Sequence, residues 1–111
     1  MAFDEALADR IRVVLSARDG VSERRMFGGI AFMLDGNMAV GVIGEDLMVR
    51  LIPADAERAL AEPHTRPMDF TGRPSKNMLY VDPGGTEGDA NLATWVEAGA
   101  DHAASLPPKE K

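Results

Sequence analysis

The pair Asp35-Gly36 stands between two apolar runs, MFGGIAFML before it and NMAVGVI after it. Asp followed by Gly supplies the two positive φ angles of a type I′ turn, whose twist matches that of paired antiparallel strands. A turn of this kind inside so apolar a segment commits the chain to an antiparallel hairpin, around which the rest must fold. On the first arm Met26, Ile30, Phe32 and Leu34 share one face, and Phe27, Ala31 and Met33 share the other. On the return arm Met38, Val40 and Val42 alternate with Ala39, Gly41 and Ile43. Both faces of this ribbon are apolar, so both need cover.

The flanking segments extend the hairpin. Residues 4 to 18 predict a helix, because Phe3, Leu7, Ile11, Val14 and Leu15 recur at helical spacing and Asp4 and Glu5 favour its N-terminal dipole. Gly20 offers a left-handed stop after it. Gly44-Glu45-Asp46 predicts a second tight turn, and LMVRLI at 47 to 52 a third strand. Pro53 opens a short helix to Glu62 with Ala56, Ala59 and Leu60 on its apolar side. Beyond Pro63 and Pro67, Met68 to Phe70 and Met78 to Val81 predict two further strands around TGRPSKN. A last helix starts near Glu87, with Thr86 and Asp89 as a capping box. Its stripe is Leu92, Trp95, Val96, Gly99, Ala103 and Leu106, closed by Pro107-Pro108.

This order, α-β(3)-α-β(2)-α, predicts an α+β fold: an antiparallel sheet with helices packed on it. The 111 residues, 45% apolar and 27% charged, suit one domain with its own core. That domain is expected over residues 1–106, with 107–111 a short polar tail. No cysteine is present, so disulfides, thiolate metal sites and thiol nucleophiles are excluded. The acidic start and the lack of an apolar run of ~18 residues argue against secretion and membrane insertion, leaving the cytoplasm as the expected compartment.

Catalytic and metal chemistry find little support. His64 and His102 form no metal-binding spacing, and the serines lack a G-x-S-x-G elbow. Glu45 and Asp46 are explained by their turn. Gly28-Gly29 lacks the remainder of a nucleotide loop, and a bulge or a close crossing accounts for it better. No catalytic, cofactor-binding or metal-binding residue is assigned. The net charge of −6 opposes nucleic-acid binding, but it is unevenly spread: residues 24 to 76 hold seven acids and seven bases. Arg24, Arg25, Arg50, Arg66, Arg73 and Lys76 lie in or beside loops that can meet at one end of the sheet. Arg24, Arg25, Arg66, Arg73 and Lys76 are the candidate partner- or anion-binding set.

RRMFGG, the hairpin MLDGNMAVGV, LMVRL and the later MDFTGRPSKNMLYVDP together resemble the TfoX/Sxy N-terminal domain family over nearly the whole chain. The Arg-Met-Phe-Gly-Gly hairpin is the most specific element. The resemblance implies the α-β(3)-α-β(2)-α domain already derived from the residues. It also implies a link to regulators of bacterial competence genes that work with the transcription machinery, and no catalytic residues. Longer regulators of this kind carry a second, helical domain after this one, so the resemblance here is to the stand-alone domain.

The sequence therefore points to a non-enzymatic regulatory module that binds a protein partner. A homodimer formed through a sheet face or edge is expected from the strands that are apolar on both sides. A nucleic-acid-binding module using the basic loops is the alternative, and an enzyme with a small-molecule pocket near Arg66 and Arg73 ranks below it.

Overall fold

At the turn between the two apolar runs the backbone takes φ values of +51° at Asp35 and +85° at Gly36, and the chain reverses there as expected. The structure, a computed structural model, describes residues 3–26, 28–67 and 77–107. Around the turn lie strands β2 (Gly29–Leu34) and β3 (Asn37–Ile43). Gly44, at φ +57°, makes the next turn, and β4 follows (Asp46–Arg50). Strands β5 (Thr65–Pro67) and β6 (Met78–Val81) complete one antiparallel sheet with β1 (Val21–Met26), in the order β1-β2-β3-β4-β6-β5. The expected α+β class and antiparallel sheet are present.

Strand β1 is the element that apolar alternation did not single out. Val21-Ser-Glu-Arg-Arg-Met carries no alternating apolar row because it is an edge strand, paired only with β2 from Val21↔Leu34 to Met26↔Gly29. Its long polar side chains lay their stems on the sheet and keep their charges in water. Gly28, at φ +76°, turns the chain between β1 and β2, so the glycine pair marks a hairpin rather than an interruption within one strand. Gly29 explains its own identity: a Cβ there would stand 2.2 Å from the Val42 carbonyl oxygen.

One sheet face holds the core. Register aligns Ile30 with Val42, Phe32 with Val40, Val40 with Val49, Leu47 with Val81 and Val49 with Leu79, all of them buried. Removing each such side chain from water contributes about 1.5–3 kcal/mol. Helix α1 (Glu5–Leu15) covers this face with Leu7, Ile11 and Leu15, and α3 (Asp89–Ser105) covers it with Leu92, Val96, Ala100 and Ala103. Most of the stripe expected on each helix is buried; Val14, Trp95 and Leu106 are half-buried, and Ala100 joins the buried row. Asp4 caps α1, accepting a hydrogen bond from the Leu7 amide at 3.1 Å. The helix ends at Leu15, earlier than expected. Gly20 instead sits in the approach to β1 at φ +79°, where a Cβ would meet Asp35 Oδ1 at 2.2 Å.

Other boundaries also moved. Helix α2 is Pro53–Ala59, followed by the Leu60 cap and a turn that reaches β5. Pro83–Gly85 form a 3-10 turn, and the Thr86 hydroxyl donates back to the Pro83 carbonyl at 3.3 Å. Thr86 therefore closes this turn, and α3 starts behind Gly88 with no side-chain cap. The expected strand at Met68 to Phe70 lies outside the described residues.

A register shift between Phe32 and Met33 places Phe32 opposite Val40 but Met33 opposite Met38, leaving Ala39 as an extra residue on β3. This bulge brings the Ala39 carbonyl oxygen to 2.5 Å from where a Cβ on Gly99 would stand, so α3 crosses β3 at a glycine. The opposite face of the sheet carries the row Arg24-Ala31-Gly41-Met48-Tyr80-Arg66, read from one edge to the other.

Candidate interaction surface at the β1 edge

The three candidate bases among the described residues, Arg24, Arg25 and Arg66, do not form one patch. Arg24 and Arg25 stand next to each other on β1, whereas Arg66 lies on β5 at the far side of the sheet. Five inter-strand steps separate Arg24 from Arg66, roughly 24 Å. Arg73 and Lys76 lie outside the described residues. Convergence of Arg24, Arg25 and Arg66 at one end of the sheet is thus corrected: edge pairing of β1 and β5 keeps them apart.

Arg66 is committed within the fold. Its guanidinium donates to Asp46 Oδ2 at 2.7 Å and lies 5.2 Å from the centre of the Tyr80 ring. Hydrogen bonding to Asp46 raises its already high pKa. Asp46, read from the sequence as turn chemistry, is the anchor for this arginine.

Beside it is a pair that residue patterns alone did not flag. His64 Nδ1 lies 3.0 Å from Asp82 Oδ1, and the same carboxylate oxygen accepts the Gly84 amide at 3.0 Å. His64 holds φ +70° and packs over the two glycines of the 3-10 turn; a Cβ on Gly84 would meet the imidazole at 2.5 Å. The Pro-Gly-Gly after β6 was the available signal, since glycines allow close approach of another group. The pair ties the start of β5 to the end of β6, reinforced by the Asp82 amide donating to the His64 carbonyl at 2.8 Å.

Among the described residues Arg10, Arg12, Arg18, Arg58 and Arg66 each have a carboxylate within ion-pairing distance, and Arg24, Arg25 and Arg50 have none. Glu23, between them and the helices, is already engaged: Arg12 Nε and Nη2 donate to its two oxygens, each at 2.8 Å. That hydrogen bonding lowers the Glu23 pKa, and the charge of nearby Arg25, outside ion-pairing distance, adds to the effect. Arg25 lies over the Phe3 ring, 5.3 Å from its centre. Alternation along the strand sets Arg25 on the helix-covered face, with Glu23 and Ile30, and Arg24 on the opposite face, beside Ala31. Both arginines are exposed.

The backbone of β1 is equally available. The Asp35 amide donates to the Gly20 carbonyl at 3.0 Å, which marks Gly20/Asp35 as a hydrogen-bonded pair in the β1–β2 ladder. Pairing alternates along an antiparallel ladder, so Val21, Glu23 and Arg25 turn their N–H and C=O groups outward, away from β2. Among the described residues no backbone or side-chain group bonds to them from that side. A strand edge with free ladder positions and two arginines outside any ion pair can accept another strand or an anionic chain.

An open depression of about 250 Å³ lies between Phe3, Asp4, Gly44 and Glu45. The described residues also contain no group of three or more His, Asp or Glu able to hold a metal ion. No helix among them is long and apolar enough to cross a membrane. A family model described as the TfoX N-terminal domain matches residues 14–103, which includes both arginines and all of the sheet. Among curated proteins and among solved structures, none matches the chain.

Proposed function

The chain belongs to the TfoX N-terminal domain family, and from that premise we propose that it is a cytoplasmic, non-enzymatic regulatory domain that acts by holding a protein partner on its β1 edge. The observation that carries this reading is the coincidence of two features on one strand: outward backbone groups at Val21, Glu23 and Arg25, and two guanidiniums outside any ion pair in a molecule of net charge −6. Edge strands left open in this way are ordinarily protected against pairing by their charges, and the same charges select which partner is admitted. The competence and transcription link implied by the resemblance supplies the regulatory half of the proposal.

Of the two partners expected from sequence, a different chain suits the edge better than a second copy. A two-fold antiparallel pair of β1 strands is centred on one residue that faces itself. Centring on Glu23 or Arg25 sets that charge directly opposite its own copy, which is destabilising, and centring on Arg24 does the same to Arg24 while it places Glu23, already held by Arg12, opposite Arg25. The test is affinity capture from native cell extract with the wild-type domain, the R24E/R25E variant, and R58E as a control on the exposed side of α2. Proteins retained by wild type and R58E but lost by R24E/R25E define the edge-dependent set, and transcription components within it would support the regulatory role. Identical capture by all three proteins would end the proposal. Light scattering of the wild type at high micromolar concentration reports the homodimer directly.

A further inference from the structure

Building on the partner-binding reading, we propose that the β1 edge takes an acidic extended segment as a seventh antiparallel strand, and that it recognises two consecutive carboxylate residues in that segment. Strand addition is indicated by the backbone. Val21, Glu23 and Arg25 offer three N–H and three C=O groups at ladder spacing, without bonds from the described residues. Such main-chain bonds give affinity without reading sequence, so selectivity must come from the side chains beside them.

Those side chains specify the pattern. Arg24 and Arg25 are adjacent and therefore project from opposite faces of the sheet. An added strand alternates in the same way, and a residue directly opposite another shares its face. One carboxylate can meet only one of the two arginines; two consecutive carboxylates meet both, one on each face. Glu23 does not oppose them, because Arg12 engages both of its oxygens. The overall charge of −6 is also a weak deterrent, since at physiological salt fields fade over about 8 Å and the charges close to the edge dominate. A basic strand would instead face two cations, and a copy of β1 centred on Glu23, Arg24 or Arg25 would set that central charge against itself, only the Arg24 centre adding Glu23–Arg25 pairs.

The test uses the full chain labelled for NMR and three blocked nonapeptides on a Thr/Val frame. The first carries two adjacent glutamates at its centre, the second two adjacent lysines, and the third two glutamates separated by one residue. Millimolar adjacent-glutamate peptide should slow amide exchange at Val21, Glu23 and Arg25 by about tenfold, equivalent to ~1.4 kcal/mol of protection. The amides of Ser22 and Arg24, already directed at β2, should change little. The separated-glutamate peptide should protect less, the lysine peptide not at all, and the R24Q/R25Q variant should abolish protection while retaining the wild-type spectrum elsewhere.

No protection with the adjacent-glutamate peptide overturns the proposal, as does equal protection by the lysine peptide. Protection that rises with protein concentration before peptide is added assigns the edge to a second copy. Shifts at Arg24 and Arg25 with a single-stranded oligonucleotide, in the absence of peptide protection, assign it to nucleic acid. If the peptides fail while R24E/R25E still loses its captured partners, the acidic-strand inference falls and the partner-binding reading stands.

Discussion

His102 shows how one residue's role turns on its surroundings. Its place in the last turn of α3 would ordinarily favour the charged imidazole through the helix dipole. Burial acts in the opposite direction and, together with the nearby positive charge of Arg50, lowers its pKa; Asp55 offsets this only in part. A histidine held neutral by the fold contributes stability that is complete above the unfolded pKa and is lost as pH falls through the ordinary histidine range. H102Q should therefore flatten the decline in stability between about pH 7 and pH 5, measured by urea unfolding across that range. An unchanged slope would show that desolvation of this side chain is too slight to matter.

At the scale of elements, the decisive contact is α3 crossing β3. The bulge at Ala39 pushes a carbonyl toward the helix, and Gly99 lets the backbones meet. In G99A the new Cβ would stand 2.5 Å from the Ala39 oxygen and 2.8 Å from Val40 Cγ1, so helix or strand must shift. The expected loss is about 1–3 kcal/mol, the usual cost of overfilling a packed site, read as a lower urea midpoint with an unchanged slope. A wild-type midpoint would show that the bulge yields without resistance. Small residues thus act as spacers between elements, a role that hydropathy patterns do not display.

For the whole molecule, the two terminal helices share one sheet face and also hold each other. Arg18, in the turn after α1, donates to Glu97 at 2.8 Å and to Asp101 at 2.7 Å on α3, and Arg10 of α1 donates at 2.8 Å to the carbonyl of Thr86, in the turn before α3. These charged contacts are exposed or half-exposed, so each contributes little alone, and the common core beneath provides most of the coupling. Trp95, the single tryptophan, is half-buried on α3 and reports that helix directly. Thermal unfolding followed by its fluorescence should coincide with unfolding followed by far-ultraviolet circular dichroism, as one cooperative transition requires. An earlier fluorescence transition would mean that α3 leaves the sheet before the strands separate.

The order of most elements, the Asp35-Gly36 hairpin and the buried stripes of α1 and α3 were legible in the amino-acid sequence, because turn geometry and the periodic burial of apolar residues are local properties. Strand β1 was not, since an edge strand obtains its order from a neighbour's ladder and needs no apolar row. Nor was the fate of the arginines. Their charges were plain, but whether each would meet a carboxylate depended on chain segments far away in sequence: Asp46 reaches Arg66, Glu23 is taken by Arg12, and Arg24 and Arg25 are left without one. Sequence alone determined which groups could bind; only tertiary pairing decided which of them remained available, because neutralisation depends on distance in space.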